Sequence, residues 1–202
     1  MIYLIFIRYE NLKSYLRYYP VTSLILLVNI IMFLLVAFNG NDLLRFGALT
    51  NDISYEHEKW RYLTAIFLHD GFDHILFNSF ALVVFAPPME RLLGSWKYAV
   101  LYLGSGLLAN ALSMAYYNYQ MEPTLTVGAS GAIYGVYGGF LYVALLQRQF
   151  MDDASRKTLY AILMVGLVFS VIVDNINWMA HLGGLITGFF IYGILIRLSR
   201  GR

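Results

Sequence analysis

Six apolar stretches, spaced along all 202 residues, restrict what this chain can become more than any other feature. A helix needs about 20 apolar residues to cross the hydrocarbon core of a bilayer, with about 17 as a lower bound. The runs cover 21–38, about 74–86, 98–117, 130–146, 159–173 and 181–196. Pro20 opens the first and Asn39-Gly40 closes it, while Pro87-Pro88 are expected to stop the second. The last three are short for a span, which suits ends buried in protein better than ends exposed to lipid. With 59% hydrophobic and 13% charged residues, against about 45–50% and about 25% in soluble domains, a soluble fold is excluded. Backbone polar groups in lipid must be satisfied within the segment, so the expected class is all-α: a polytopic bundle of six transmembrane helices.

Charge sets the orientation. With the N-terminus in the cytoplasm, the inner segments hold eleven of the fourteen Lys and Arg residues, and only Arg45, Lys59 and Arg61 lie outside. The positive-inside rule therefore favours both termini in the cytoplasm, with the 39–73, 118–129 and 174–180 loops on the outer face. Residues 1–20, with their apolar MIYLIFI start, read as an interfacial segment and not as a cleaved signal peptide, and 199–202 as a cytoplasmic tail. One membrane domain, 21–198, fills the rest. A net charge of +2 lacks the dense basic surface that phosphate binding requires, so no nucleic-acid partner is expected. The absence of cysteine removes disulfides, thiolate nucleophiles and cysteine metal sites.

In this orientation spans two, four and six start on the outer face, and each starts with polar residues. His74 and Asn78 open span two, at i and i+4 on one helix face. Ser130 opens span four and His181 opens span six. Gly131, Gly135 and Gly139 repeat every four residues, as do Gly184 and Gly188, and such stripes let membrane helices approach closely. His181 shares its face with Gly184 and Gly188, which aims it at a neighbouring helix and the Ser130 region. A serine hydroxyl needs a base such as histidine to attack a carbonyl, and the oxyanion that forms needs fixed donors. His74, Asn78 and the backbone N–H at the start of span four fit that second task. No carboxylate lies within the spans to orient His181, so the expected engine is a Ser-His dyad.

At these residues the chain resembles the rhomboid family of intramembrane serine proteases, in its bacterial-type, basic six-helix form. The resemblance rests on Trp60-Arg61, HILFN (His74 to Asn78), MERLLGS (Met89 to Ser95), GASGAIYG (Gly128 to Gly135) and AHLGG (Ala180 to Gly184), in that order over about 20–198. It implies Ser130 as nucleophile, His181 as general base, and His74 and Asn78 as oxyanion-stabilising groups. It further implies supporting roles for Gly128 before the serine, Tyr134 against the histidine, and the Trp60-Arg61 pair of the first outer loop. The implied substrates are single-pass transmembrane proteins, cut in the lipid bilayer near the outer face of a bacterial plasma membrane. Substrate would enter laterally beside span five, and no metal or other cofactor is implied. Pro87-Pro88 depart from the glycine-containing turn of many relatives and would stiffen that cytoplasmic connection.

Other chemistries fare worse. His57-Glu58 lacks the second histidine of HExxH, where Arg61 stands instead, and Asp174 has no partner for an aspartyl mechanism. A haem or ion-relay protein would leave Ser130 and Asn78 without a role. A non-catalytic rhomboid-like protein that binds transmembrane partners is the remaining alternative, and it would not need both Ser130 and His181. His57 reads as a solvated loop residue, and His69 with Asp70-Gly71 as a turn or as hydrogen-bonding support to the site.

Overall fold

The helices run alternately up and down, so that every second connection returns to the same end of the bundle. A computed structural model describes residues 10–39, 41–173 and 176–200. The apolar start, 1–7, and Asp174 lie outside them, as do residues 201 and 202 of the expected tail. A seven-residue helix, α1 (Leu12–Tyr18), is capped by Asn11, whose side chain accepts from the Ser14 N–H at 3.0 Å. Next come α2 (Pro20–Asn39), α3 (Asn41–Gly47) and the single turn α4 (Arg61–Thr64). The remaining helices are α5 (Phe72–Leu93), α6 (Ser95–Gln120), α7 (Ser130–Leu146), α8 (Asp153–Ile172) and α9 (Trp178–Arg200). Five of these are long and apolar enough to span a membrane, and the sixth apolar helix is α7 with 17 residues. The chain is a helical, multi-pass integral membrane protein.

The second span corrects the sequence reading. Pro87 and Pro88 lie inside α5, which continues to Leu93, although each proline lacks the N–H that would reach back four residues. What carries the helix past them is tertiary packing. Met89, Glu90 and Leu93 are buried, and the Glu90 carboxylate accepts from Val21 N (3.0 Å), Thr22 N (2.8 Å), Thr22 Oγ1 (2.7 Å) and Ser95 Oγ (2.7 Å). Glu90 thus caps the N-terminus of α2, whose first amides have no partner within their own helix. The connection to α6 is Gly94 alone, at φ 78°, a left-handed turn that glycine makes without strain. The prolines therefore stiffen a helix end and not a loop.

Several other ends extend beyond the apolar runs because helices continue into flanking residues that a hydrophobicity reading excludes, while α7 keeps the expected bounds. Span three gains residues at both ends, and span six starts at Trp178. Span five starts six residues early at Asp153, after the Asp152 side chain has accepted the Ser155 N–H at 2.8 Å. Span five and span six are thus 20 and 23 residues long, and only α7 is short. Its 17 residues rise about 26 Å against a hydrocarbon core of about 30 Å. It can be short because it is central, buried continuously from Gly131 to Phe140.

Backbone contact explains how α7 comes to be enclosed. A Cβ on Gly184 would meet the Gly131 carbonyl, and one on Gly188 would meet the Gly135 backbone. On the other side, a Cβ on Gly135 would run into the Ser105 side chain of α6. The stripe read from the sequence is right for Gly131 and Gly135 but not for Gly139, which faces Met89, Leu101 and Tyr192 side chains. Gly138 takes its place against Leu185 O and Phe189 N of α9. Seven residues return a helix to within about 20° of its starting face, whereas eight overshoot by about 80°. We expect Gly188→Ala to lower unfolding stability by about 1–3 kcal/mol through overpacking. Gly104→Ala, which meets only the Ile191 Cδ1 tip at 3.3 Å, should change it far less. Thermal denaturation in detergent measures both.

Candidate active site

Two loops close one end of the bundle and are stitched together. Leu49 and Thr50 pair antiparallel with Thr126 and Leu125, and Asn51 bonds Glu122 O and the Thr124 N–H, both at 2.9 Å. Arg61 is the pin of the first loop. Its guanidinium reaches Arg45 O (2.6 Å), Ala48 O (2.7 Å) and Glu58 Oε2 (2.7 Å), and lies over the Tyr55 ring. Trp60 is 45% exposed and stacks on Phe46, so this pair shapes the loop at a distance from any chemistry. The Gly128 N–H donates to Ala65 O at 2.8 Å and ties the segment before α7 to the turn after α4.

Gly128 is where span two meets span four. It has φ +123°, and a Cβ there would fall 2.5 Å from His74 Nε2 and 3.7 Å from Asn78 Nδ2. Only glycine fits, for both its backbone angle and its neighbours. Both side chains of the i,i+4 pair therefore converge on the backbone two residues before Ser130. Asn78 is 7% exposed, and its Nδ2 has no hydrogen-bond partner among the described residues. A buried donor without a partner is costly, and it is the state expected of a group that awaits an acceptor. Ser130 is the first residue of α7, where the leading N–H groups have no carbonyl of their own helix to reach.

His181 enters the same region from α9. It is 8% exposed, and its ring stacks on Tyr134 with centroids 4.2 Å apart and planes 9° from parallel. Tyr134 follows Ser130 by one turn, so both project from one face of α7. The Nδ1 edge of His181 meets Ser170 Oγ of α8 at 2.6 Å. Asn177 steadies the start of α9, accepting the Ala180 N–H at 2.9 Å while donating to Ser113 Oγ and Thr126 Oγ1.

Sequence reasoning missed Ser170, because a lone serine in an apolar run carries no signal until the fold shows what it faces. It also underused Asp70, whose Oδ1 meets His74 Nδ1 at 2.6 Å; the i,i+4 spacing of the two was the available clue. That hydrogen bond holds the Asp70 carboxyl below its ordinary pKa. His57 is solvated beside Glu56 at 3.3 Å. Among the described residues no three His, Asp or Glu side chains converge as a metal-binding set.

His69 is fully buried, edge-on to His74 at 5.0 Å between centroids. Burial, and secondarily the neighbouring His74, push its pKa down from 6.5 to about 4. An unfolded chain binds that proton near its ordinary value, so stability is full above about pH 6.5 and declines as pH falls toward about 4. Melting temperatures across that window should fall less steeply for His69→Gln than for the wild type.

Comparison with known proteins shows the family of the chain. A model of the Rhomboid domain matches residues 56–198. YdcA of Bacillus subtilis (strain 168), a rhomboid protease by name, is 34% identical over 202 aligned positions, covering 98% of this chain and 99% of its own. GluP, a rhomboid protease of the same organism, is 37% identical over 174 positions, which cover 84% of this chain but 33% of that longer protein. RHOMBOID-like protein 6, mitochondrial, of Arabidopsis thaliana is 30% identical over 162 positions, covering 78% of this chain and 51% of its own. By the match across most of its length, the chain belongs to the rhomboid family.

Proposed function

We propose that Ser130 and His181 form the catalytic dyad of an intramembrane serine endopeptidase that cuts single-pass membrane proteins. By family the chain is an intramembrane serine protease acting on membrane-protein substrates. The dyad, its helpers and the kind of substrate are our reading. The observation that carries it is the buried Asn78 Nδ2, without a partner among the described residues, beside Gly128 and near the start of the helix that begins with Ser130.

His181 uses its Nδ1 edge for Ser170, which leaves Nε2 for the hydroxyl one turn above Tyr134. Nε2 takes the proton as Ser130 Oγ attacks the scissile carbonyl, and returns it to the departing amine. The oxyanion between these steps is met by Asn78 Nδ2 and by the unpaired N–H groups at the start of α7, where the helix dipole also favours negative charge. Asp70 takes the Nδ1 edge of His74 and so turns its Nε2 edge toward Gly128, beside Asn78 Nδ2. Water then attacks the acyl ester on Ser130, with His181 again as base. The positive-inside distribution supports cytoplasmic termini and an outward-facing site in a bacterial plasma membrane, with the N-terminal segment at the interface.

Purified protein in liposomes should cleave a single-pass substrate, with products read by mass spectrometry. Ser130→Ala and His181→Ala should each lower the rate by on the order of 10⁴-fold or more, with thermal stability nearly unchanged. Near-wild-type cleavage by Ser130→Ala would overturn the mechanism and favour a partner-binding role. Asn78→Ala should lower turnover by less than the dyad variants, up to about 10²–10³-fold, and an unchanged rate would remove it from the oxyanion site.

A further inference from the structure

Ser170 Oγ stands 2.6 Å from two atoms, the Gly166 carbonyl oxygen one turn back on α8 and His181 Nδ1 on α9. A hydroxyl carries one hydrogen, and a carbonyl oxygen brings none. The bond to Gly166 O must therefore use the serine hydrogen, because two bare oxygens would repel at that distance. The bond to His181 must then use a hydrogen on Nδ1, with Ser170 Oγ as acceptor. A neutral imidazole protonated at Nδ1 has its lone pair on Nε2. We infer that Ser170 is a positioning residue, a third member behind the dyad, which fixes His181 in the tautomer that can act as base. This inference rests on the reading of His181 as the general base.

Local geometry supports the assignment. Ser170 is buried, although α8 shows Val165, Val168, Phe169, Val171 and Ile172 outward. Gly166 precedes it by four residues on the same face, and a Cβ at Gly166 would collide with the Tyr134 hydroxyl. The missing side chain thus lets α8 lie close enough for Ser170 to reach the imidazole. Tyr134 Oη, 3.4 Å from Ser170 Oγ, closes the group, so the histidine ring is held on one face by Tyr134 and at one edge by Ser170. In soluble Ser-His hydrolases a buried carboxylate fills this place, holding tautomer and ring orientation without taking the proton itself. Here a neutral hydroxyl does so, consistent with a site inside lipid where an unpaired charge is expensive. When His181 takes the Ser130 proton at Nε2, both ring nitrogens are donors, and the Nδ1–H bond to Ser170 persists unchanged through the step.

The test compares Ser170→Thr with Ser170→Val, which have the same shape and differ by the hydroxyl. Ser170→Val should lower kcat about tenfold, the worth of one hydrogen bond, with KM unchanged, and Ser170→Thr should return most of that loss. Nitrogen-15 NMR of histidine-labelled protein near pH 8, above the ordinary imidazole range of about 6.5, should show His181 protonated at Nδ1 in the wild type. In Ser170→Val it should show a mixture of tautomers. Equal losses for Val and Thr, or a wild-type His181 protonated at Nε2, would overturn the proposal. So would a Val variant with wild-type kcat and an unchanged spectrum. His181→Ala, run in parallel, separates the two readings: retained cleavage there refutes the base itself, whereas its loss beside a Ser170→Val variant with wild-type kcat and an unchanged spectrum refutes only the positioning role.

Discussion

Close backbone approach between α7 and α9 is the constraint on which the rest depends. Lipid offers no hydrophobic drive for helices to associate, so packing at short range has to hold them together. Gly131, Gly135 and Gly138 on one side, with Gly184 and Gly188 on the other, bring the two backbones into contact. That distance decides where His181 stands. With a side chain at Gly138, Gly184 or Gly188, α9 would move outward, and the imidazole would lose its 4.2 Å stack on Tyr134. Because α7 is then enclosed by α6 and α9, it is free to be shorter than a membrane-spanning helix, and its first turn can end in protein instead of lipid.

Around that seam the polar groups are held in tiers. Gly128 lets the HILFN segment touch the loop before Ser130, and Asp70 and Ser170 each take the Nδ1 edge of one histidine. Arg61, Asn51 and Asn177 fasten the loops that cover this end, and Glu90 fastens the opposite end by capping α2. Nearly all of these bonds join a side chain to a backbone group or to a second side chain far away in sequence. They satisfy groups that lipid could not. The end that carries the candidate chemistry is thus braced before any substrate arrives.

Much of this was legible beforehand. Apolar runs gave six spans, and polar residues at the starts of spans two, four and six gave the candidate site, because a charged or hydroxyl group at a span end has to be explained. Span ends were less legible. Helices run on into polar caps such as Asp152 and Ser95, and Pro87-Pro88 read as a stop because the sequence does not display Glu90 reaching α2. Ser170 and the exchange of Gly139 for Gly138 were out of reach for the same reason: both depend on which face of a helix meets which neighbour.

By itself, then, the sequence determined the medium and the number of spans and named four candidate groups for acyl-transfer chemistry, since hydropathy and residue chemistry are local properties. Only the tertiary structure decided that Asn78 is a buried donor without a partner among the described residues, that Gly128 is compelled to be glycine, and that the Nδ1 edge of His181 is held by a hydroxyl from α8. Those facts depend on distances between helices, which arise from packing and from the one-to-one pairing of hydrogen-bond donors with acceptors, and neither is written in any single segment.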